Sequence, residues 1–388
     1  MTSVSAELLR RRIAFAGYRN VSLTNAQELE LRDAGPEPFF SESASTLAAR
    51  TGLSLEFFDD SARERAMEAA SREADFIRAN GVRALFWSDE DYPQRLAECT
   101  DAPAMLYALG HGDMNPRYSV GIVGTRHATA CGTDFASQLV KDLHAALPDG
   151  LLIVSGLAYG IDIAAHEAAL REGVATGAVL AHGLNTIYPA EHRTQAMRIV
   201  REGGFLLTEY TTGARTHRRN FLARNRIVAG MTDVLVVVES DMRGGAMATA
   251  RLATAYGREV FAMPGRVTDP YSRGCNDLLV RGTARLIRDA GDLLEAMGWK
   301  SASRRDKSLP GQLEMDFEAD DEKLELLKAL RDHPQTPAHE LCGVLDMAYG
   351  SLSAMLFELE MDDLVKGAPG GFFALTPAAL SLLDSATR

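Results

Sequence analysis

Six short apolar runs recur between residues 119 and 265, and they restrict the fold more than any other feature of the chain. They are SVGIVG (119–124), LLIVSG (151–156), TGAVLAHG (176–183), FLLTEY (205–210), DVLVVVES (233–240) and EVFAMPG (259–265), with helix-like segments between them. A strand wet on one side alternates apolar and polar residues. These runs are continuously apolar and rich in β-branched residues, as strands covered on both faces are. Strand alternating with helix from Arg117 to about Gly298 therefore predicts an α/β fold, a doubly wound and mainly parallel sheet. Several runs end in glycine, at the carboxyl edge where ligands approach such sheets.

The flanks read differently. Residues 1 to about 110 carry helix-period apolar residues in Ala6–Ala16, Ala44–Thr51 and Ser61–Asn80, and predict a mostly helical segment. Residues 300 to about 321 are polar and charged without a period, the composition of a flexible linker. Beyond it, Glu322–Arg331, Pro337–Leu345 and Tyr349–Met361 are helix-sized, and LVKGAPGGFFAL (364–375) reads as two strands around a Gly/Pro turn. Three helices and a hairpin predict a small winged helix. The expected divisions are thus 1–110, 111–299, a linker at 300–320, and 321–388. A chain of 388 residues exceeds one ordinary core, in keeping with several domains. Its four cysteines are widely spaced, so neither a disulfide framework nor a zinc site is expected, and a reducing cytoplasm fits. No secretory leader is apparent, and no apolar run approaches the roughly 20 residues of a bilayer span, so no membrane contact is expected.

The chain is acidic, with a formal net charge of −12, yet Gly213–Arg226 (GARTHRRNFLARNR) holds five arginines, one histidine and no acid. Guanidinium groups pair with phosphate, and the flat ring among them, Phe221, can stack on a base. Such a segment fits a single-stranded nucleic acid, the alternative being a solvated basic helix. Three glycine turns join strand to helix in the same region: GIVGTRHATACG (121–132), SGLAYGID (155–162) and RGGAMATA (243–250). Backbone N–H groups at the helix start after Gly124 and Thr125 can hold a phosphate, and Arg126 adds a charged fork. Ser155 and Gly156 begin the second turn, where Asp162 is suited to cap the following helix. Arg243, Gly244 and Gly245 form the third. Together they predict one anion-binding rim. Neither GxGxxG nor GxxxxGK[ST] occurs, so no dinucleotide or nucleotide cofactor is expected. Asp162 and His166, one helical turn apart, are better explained by a cap and a packed histidine than by a metal. Ser155 lacks a His/Asp partner pattern for nucleophilic catalysis.

Taken in order, DYPQRL (91–96), APAMLYALG (102–110), GIVGTRHATACG, VSGLAYGIDIAAHEAAL (154–170), IYPAEHR (187–193), TEY (208–210), NFLARNRIVAGMTDVLVVVES (220–240), GGAMATARLA (244–253) and VFAMPG (260–265) resemble the DNA processing protein A family, DprA/Smf. The resemblance implies a helical SAM-like domain, an extended Rossmann-like core and a winged helix, in a cytoplasmic protein without enzymatic activity. It implies binding of single-stranded DNA during natural transformation, protection of incoming strands, loading of RecA, and a homodimer through the Rossmann-like domain. Carried onto this chain, the DNA-binding residues are Arg126, Ser155 and Gly156 in the loops and Arg218, Arg219, Phe221, Arg224, Asn225 and Arg226 in the cationic segment. Two alternatives stay open: Phe221 as a core aromatic, and Arg224 and Arg226 as organisers of the glycine loops. Tyr159, His192 and Gly244 depart from the family pattern, and Tyr159 could replace charge with stacking.

Nucleotide phosphoribohydrolases share the superfamily and carry a PGGxGTxxE loop. Here Ala250 and Arg251 occupy the positions where that glutamate would fall, so the acid/base group is missing. The C-terminal module, 321–388, has eleven acids against five bases, and Glu358, Glu360, Asp362 and Asp363 crowd the end of its last helix. That face would repel a duplex, which favours a protein contact or a structural role. In the linker, Gln312 to Phe317 (QLEMDF) resembles a short sliding-clamp peptide.

Overall fold

Every one of the six apolar runs becomes a strand of a single sheet. The computed structural model describes residues 5–18, 35–215, 217–299, 321–333, 336–345, 347–362, 364–368, 372–376, 379–380 and 383. The linker and its Gln312–Phe317 peptide lie outside the described residues. Two units separate, Met1–Arg305 and Asp306–Arg388. In the first, the strands are β1 (Arg83–Phe86), β2 (Met105–Leu109), β3 (Tyr118–Val123), β4 (Leu151–Ser155), β5 (Ala175–Val179), β6 (Phe205–Thr208), β7 (Val234–Val237), β8 (Glu259–Ala262) and β9 (Arg285–Leu286). Their order is β1-β2-β6-β5-β4-β3-β7-β8-β9. From β6 to β9 every pairing is parallel. β1 and β2 add an antiparallel edge.

Those two strands precede the expected division at residue 110, and RALF and MLYAL belong to the same sheet as the core. The helical region proper ends with the Asp60–Asn80 helix, whose C-cap is Gly81 in the left-handed conformation at φ 62°. Its aromatic cluster of Phe15, Tyr18, Phe39, Phe57 and Phe58 packs onto Phe86, Met105 and Tyr107 of the antiparallel edge.

Helices cover both faces of the parallel strands, which is why their sequences are apolar throughout. Ala130–Ala146, Ile161–Glu172 and Ala290–Ala296 bury Leu139, Leu143, Ala165 and Leu293 on one face. Arg218–Gly230, Gly245–Ala255 and Arg273–Val280 bury Ile227, Val228, Met247 and Leu278 on the other. The chain leaves β3 toward β4 on one side and returns to β7 on the other. A crevice therefore opens between the β3 and β7 carboxyl ends. In the second unit the Asp321–Asp332, Ala338–Leu345 and Tyr349–Met361 helices and the antiparallel pair β10 (Val365–Ala368) and β11 (Phe372–Leu375) form a winged helix around Leu326, Leu341, Leu352 and Leu359.

Gly177 of β5 lies opposite Phe205 of β6, and a side chain at Gly177 would intrude on the fully buried Phe205 ring. Gly177→Ala should lower stability by about 1–3 kcal/mol, with Phe205→Leu in the same chain recovering part of the loss. Urea unfolding of the single and double variants checks both statements.

Candidate nucleic-acid interface

The cationic segment is folded in two halves. Its helix, Arg218–Gly230, is capped by His217, whose Nδ1 accepts the Arg219 N–H at 3.2 Å. The first turns are exposed, and the last turns carry Ile227 and Val228 into the core. Its arginines divide accordingly. Arg215, Arg218 and Arg219 face solvent, whereas Arg224 is buried and Arg226 half-buried.

Arg224 is turned inward against the sheet edge. Its guanidinium donates to the Val179 carbonyl at the end of β5. It also presses on Gly156, where an added Cβ would collide with the guanidinium and with the Asp162 carboxylate. Burial pushes the Asp162 carboxyl up, while the Arg224 charge pulls it down. Arg226 pairs with Glu209. The Asn225 amide donates to the Gly245 carbonyl at 3.4 Å, joining two rim loops.

Phe221 is half-buried at the surface and lies outside the core. The Arg126 guanidinium lies over its ring, 5.6 Å from the centroid, and the Tyr188 ring meets it edge-on at 5.6 Å.

The glycine turns work differently from expectation. The N-terminus of the Ala130–Ala146 helix does not face open space: the Glu239 carboxylate accepts the Thr129 N–H at 2.9 Å and the Thr129 hydroxyl at 2.5 Å. The same carboxylate lies where a Gly132 side chain would be. An internal anion thus occupies the favourable end of the helix dipole. The Thr125 N–H donates to the Glu239 carbonyl, and the Ile161 N–H donates to the Thr125 carbonyl, stitching the first two turns together. Asp162 is not the cap of its helix; Gly160 is, at φ 76°. Asp162 turns back toward Arg224 and accepts the Ala158 N–H at 3.4 Å. Ser155 is fully buried and donates to the Ile122 carbonyl at 2.6 Å, so its side chain is not available to a ligand. The second and third turns both start their helices without a side-chain cap, at Gly160 and Gly244.

These turns surround a cleft of about 890 Å³. Of the residues expected at the site, all but Ser155, Arg219 and Arg226 line it. Sequence reasoning missed His127, Tyr188, His217, Arg251 and Tyr271, which also line it. Arg251 was findable, since it follows Ala248 by three residues on the exposed face of the Gly245–Ala255 helix. Arg126, Arg218, Arg243 and Arg251 are exposed. Among the described residues none of these four is in an ion pair, although arginine–carboxylate pairs are frequent elsewhere on the molecule. The two acids that line the cleft are engaged: Asp162 as described, and Asp241 by the Met242 N–H at 2.8 Å. Tyr159 lines a smaller adjoining recess with Phe221 and Tyr188, its hydroxyl donating to Glu191 at 2.9 Å.

Comparison with known proteins gives a consistent assignment. The family model for DNA recombination-mediator protein A matches residues 83–298, and that for the DprA winged helix domain matches residues 314–371. Protein Smf of Synechocystis is 34% identical over 313 residues, 73% of this chain and 77% of that protein. The DNA processing protein DprA of Streptococcus pneumoniae is 39% identical over 206 residues, 53% of this chain and 71% of that protein. The crystal structure of DNA processing protein A from Streptococcus pneumoniae superposes with a TM-score of 0.62 at 30% identity, covering 76% of this chain and 98% of that one.

One titratable group beneath the cleft gives a pH signature. His166 is fully buried, with Nε2 donating to the Gly156 carbonyl at 2.6 Å and Nδ1 2.7 Å from the Thr176 hydroxyl. Desolvation pushes its pKa down from 6.5 to about 4. Between those values the unfolded chain takes up a proton that the folded chain refuses, so stability falls as pH drops through that window. The loss from about pH 7 to pH 5 should approach about 2 kcal/mol and vanish in His166→Gln, as read by thermal unfolding across pH.

Proposed function

The chain belongs to the DNA recombination-mediator protein A family, DprA/Smf, and we propose that its cleft binds single-stranded DNA without reading its sequence. The observation that carries this is the set of four exposed arginines, free of ion pairs among the described residues, around a surface phenylalanine in one cleft. Guanidinium groups suit a phosphodiester backbone, and a ring at the surface suits an unstacked base, which a duplex does not offer. Sequence readers need amide or charged forks aimed at base edges. Asn225 is the only amide side chain among the lining residues, and its nitrogen is turned to the Gly245 carbonyl. Glycine at the turns lets a strand approach the sheet edge closely.

The same reading extends to partners. Family resemblance supports protection of incoming strands, delivery of the bound strand to RecA and self-association through the Rossmann-like domain. The winged helix would then serve a protein partner. Its Tyr349–Met361 helix exposes Tyr349, Phe357 and Met361 beside Glu358 and Glu360, a mixed apolar and acidic face unsuited to a phosphate backbone. Hydrolysis of a nucleotide at the same cleft is disfavoured, because the turn that would supply the glutamate presents Arg251 instead.

If the four arginines each meet a phosphate, affinity for an oligothymidylate should fall with salt at a log–log slope of about −3. Arg126→Ala or Arg218→Ala should each flatten that slope by about 0.7. Phe221→Ala should cost about 1–3 kcal/mol of binding. Arg224→Ala should act chiefly on thermal stability. Fluorescence anisotropy with single- and double-stranded competitors tests the set; equal affinity for duplex together with a silent Phe221→Ala would remove the reading.

A further inference from the structure

The cleft holds a second aromatic surface. His127, in the loop after β3, and Tyr271, in the loop after β8, have ring centroids 5.9 Å apart with planes inclined by only 25°. Both side chains line the cleft; His127 is exposed and Tyr271 half-exposed. Neither belongs to a core cluster. We propose that this pair is a second base-stacking station, taking a base of the same strand at a point separate from Phe221. The proposal rests on the single-strand reading above and adds the path of the strand to it.

Three observations support a ligand surface over loop-to-loop packing. The planes are near parallel, the geometry of stacking, whereas the Tyr188–Phe221 contact is edge-on at 67°. Rings this close leave no room for a base between them, so a base would stack on an outer face of the pair. Its backbone is held in place beforehand. The Tyr271 carbonyl accepts the Ser240 N–H at 2.6 Å, and the Gly274 N–H donates to the Ser240 carbonyl at 2.8 Å. The His127 N–H is fixed by the Thr125 hydroxyl at 3.1 Å. Finally, Arg126 and Arg243 stand in the same cleft as both platforms, where they can hold the phosphates of a strand running from one ring pair to the other. A base set on a rigid ring loses little further freedom, which is what makes stacking effective without base-specific hydrogen bonds.

The test uses the full chain and oligothymidylates of increasing length. Wild-type affinity should rise in two steps as the strand first reaches one platform and then the other. Tyr271→Leu retains apolar packing but removes the aromatic face; it should abolish the second step and weaken binding of the longer strands about tenfold. Tyr271→Phe should bind as wild type, and His127→Ala should resemble Tyr271→Leu. Losses from Tyr271→Leu and Phe221→Ala should multiply, since the rings hold different bases. If Tyr271→Leu binds every length as wild type does while Phe221→Ala is impaired, the second platform is refuted and the first stands. If the wild-type chain shows no affinity for any single strand, both readings fall together.

Discussion

The buried Arg224 guanidinium ties together the parts on which the cleft depends. It joins the cationic helix to the carboxyl end of β5 through the Val179 carbonyl, and it rests on Gly156 and faces Asp162 at the end of β4. A buried guanidinium needs acceptors and a counter-charge; the Val179 carbonyl accepts one hydrogen bond, the Asp162 carboxylate lies close by, and Nε has no partner among the described residues. Removing it would leave Asp162 buried and unpaired, which is far costlier than the net worth of the contact. With that end of the helix fixed, its first turns can project Arg218 and Phe221 into the crevice while remaining solvent-exposed. One arginine of the basic run thus positions the surface, and others supply its charge.

Much of the architecture was legible because burial on both faces leaves a plain mark. Six apolar runs gave β3 to β8, and the helix-period segments gave the flanking helices almost to the residue. β1, β2 and β9 escaped for physical reasons. β1 and β9 are the two edges of the sheet, β1 and β2 pair antiparallel, and β9 has two exposed residues, Arg285 and Leu286. The expected division at residue 110 falls after two strands of this sheet. Where a sheet recruits two strands from a helical segment, composition does not change at the joint.

The site was legible in outline and misread in mechanism. Glycine turns and a basic run were correctly brought to one edge, because the topology forces loops after β3, β4 and β7 together. The direction of each side chain was another matter. Arg224 and Arg226 lie two residues apart, on opposite sides of the helix, so its period does not say that the first is buried and the second pairs with Glu209. Glu239 was invisible to such reasoning: nothing in DVLVVVES says that its carboxylate crosses to the start of another helix. Its position changes what the glycines are for. Gly132 and Gly156 make room for internal charged groups, and the proposed anion contacts shift from the backbone at the first turn toward exposed side chains.

That shift bears on how an acidic protein could hold the polyanion proposed above. At physiological salt the Debye length is about 8 Å, so the distant carboxylates that give the chain its net charge are largely screened from the cleft. What matters is whether acids within that range are free. Asp162 is matched to Arg224, Glu209 to Arg226, Glu239 to a helix terminus and Asp241 to a backbone N–H. Each nearby carboxylate is thus satisfied by a group that is not one of the cleft's exposed arginines. The arginines left facing solvent have no carboxylate partner among the described residues, and the chain's net negative charge disfavours phosphate elsewhere. Local pairing, more than the sum of charges, makes this edge electropositive.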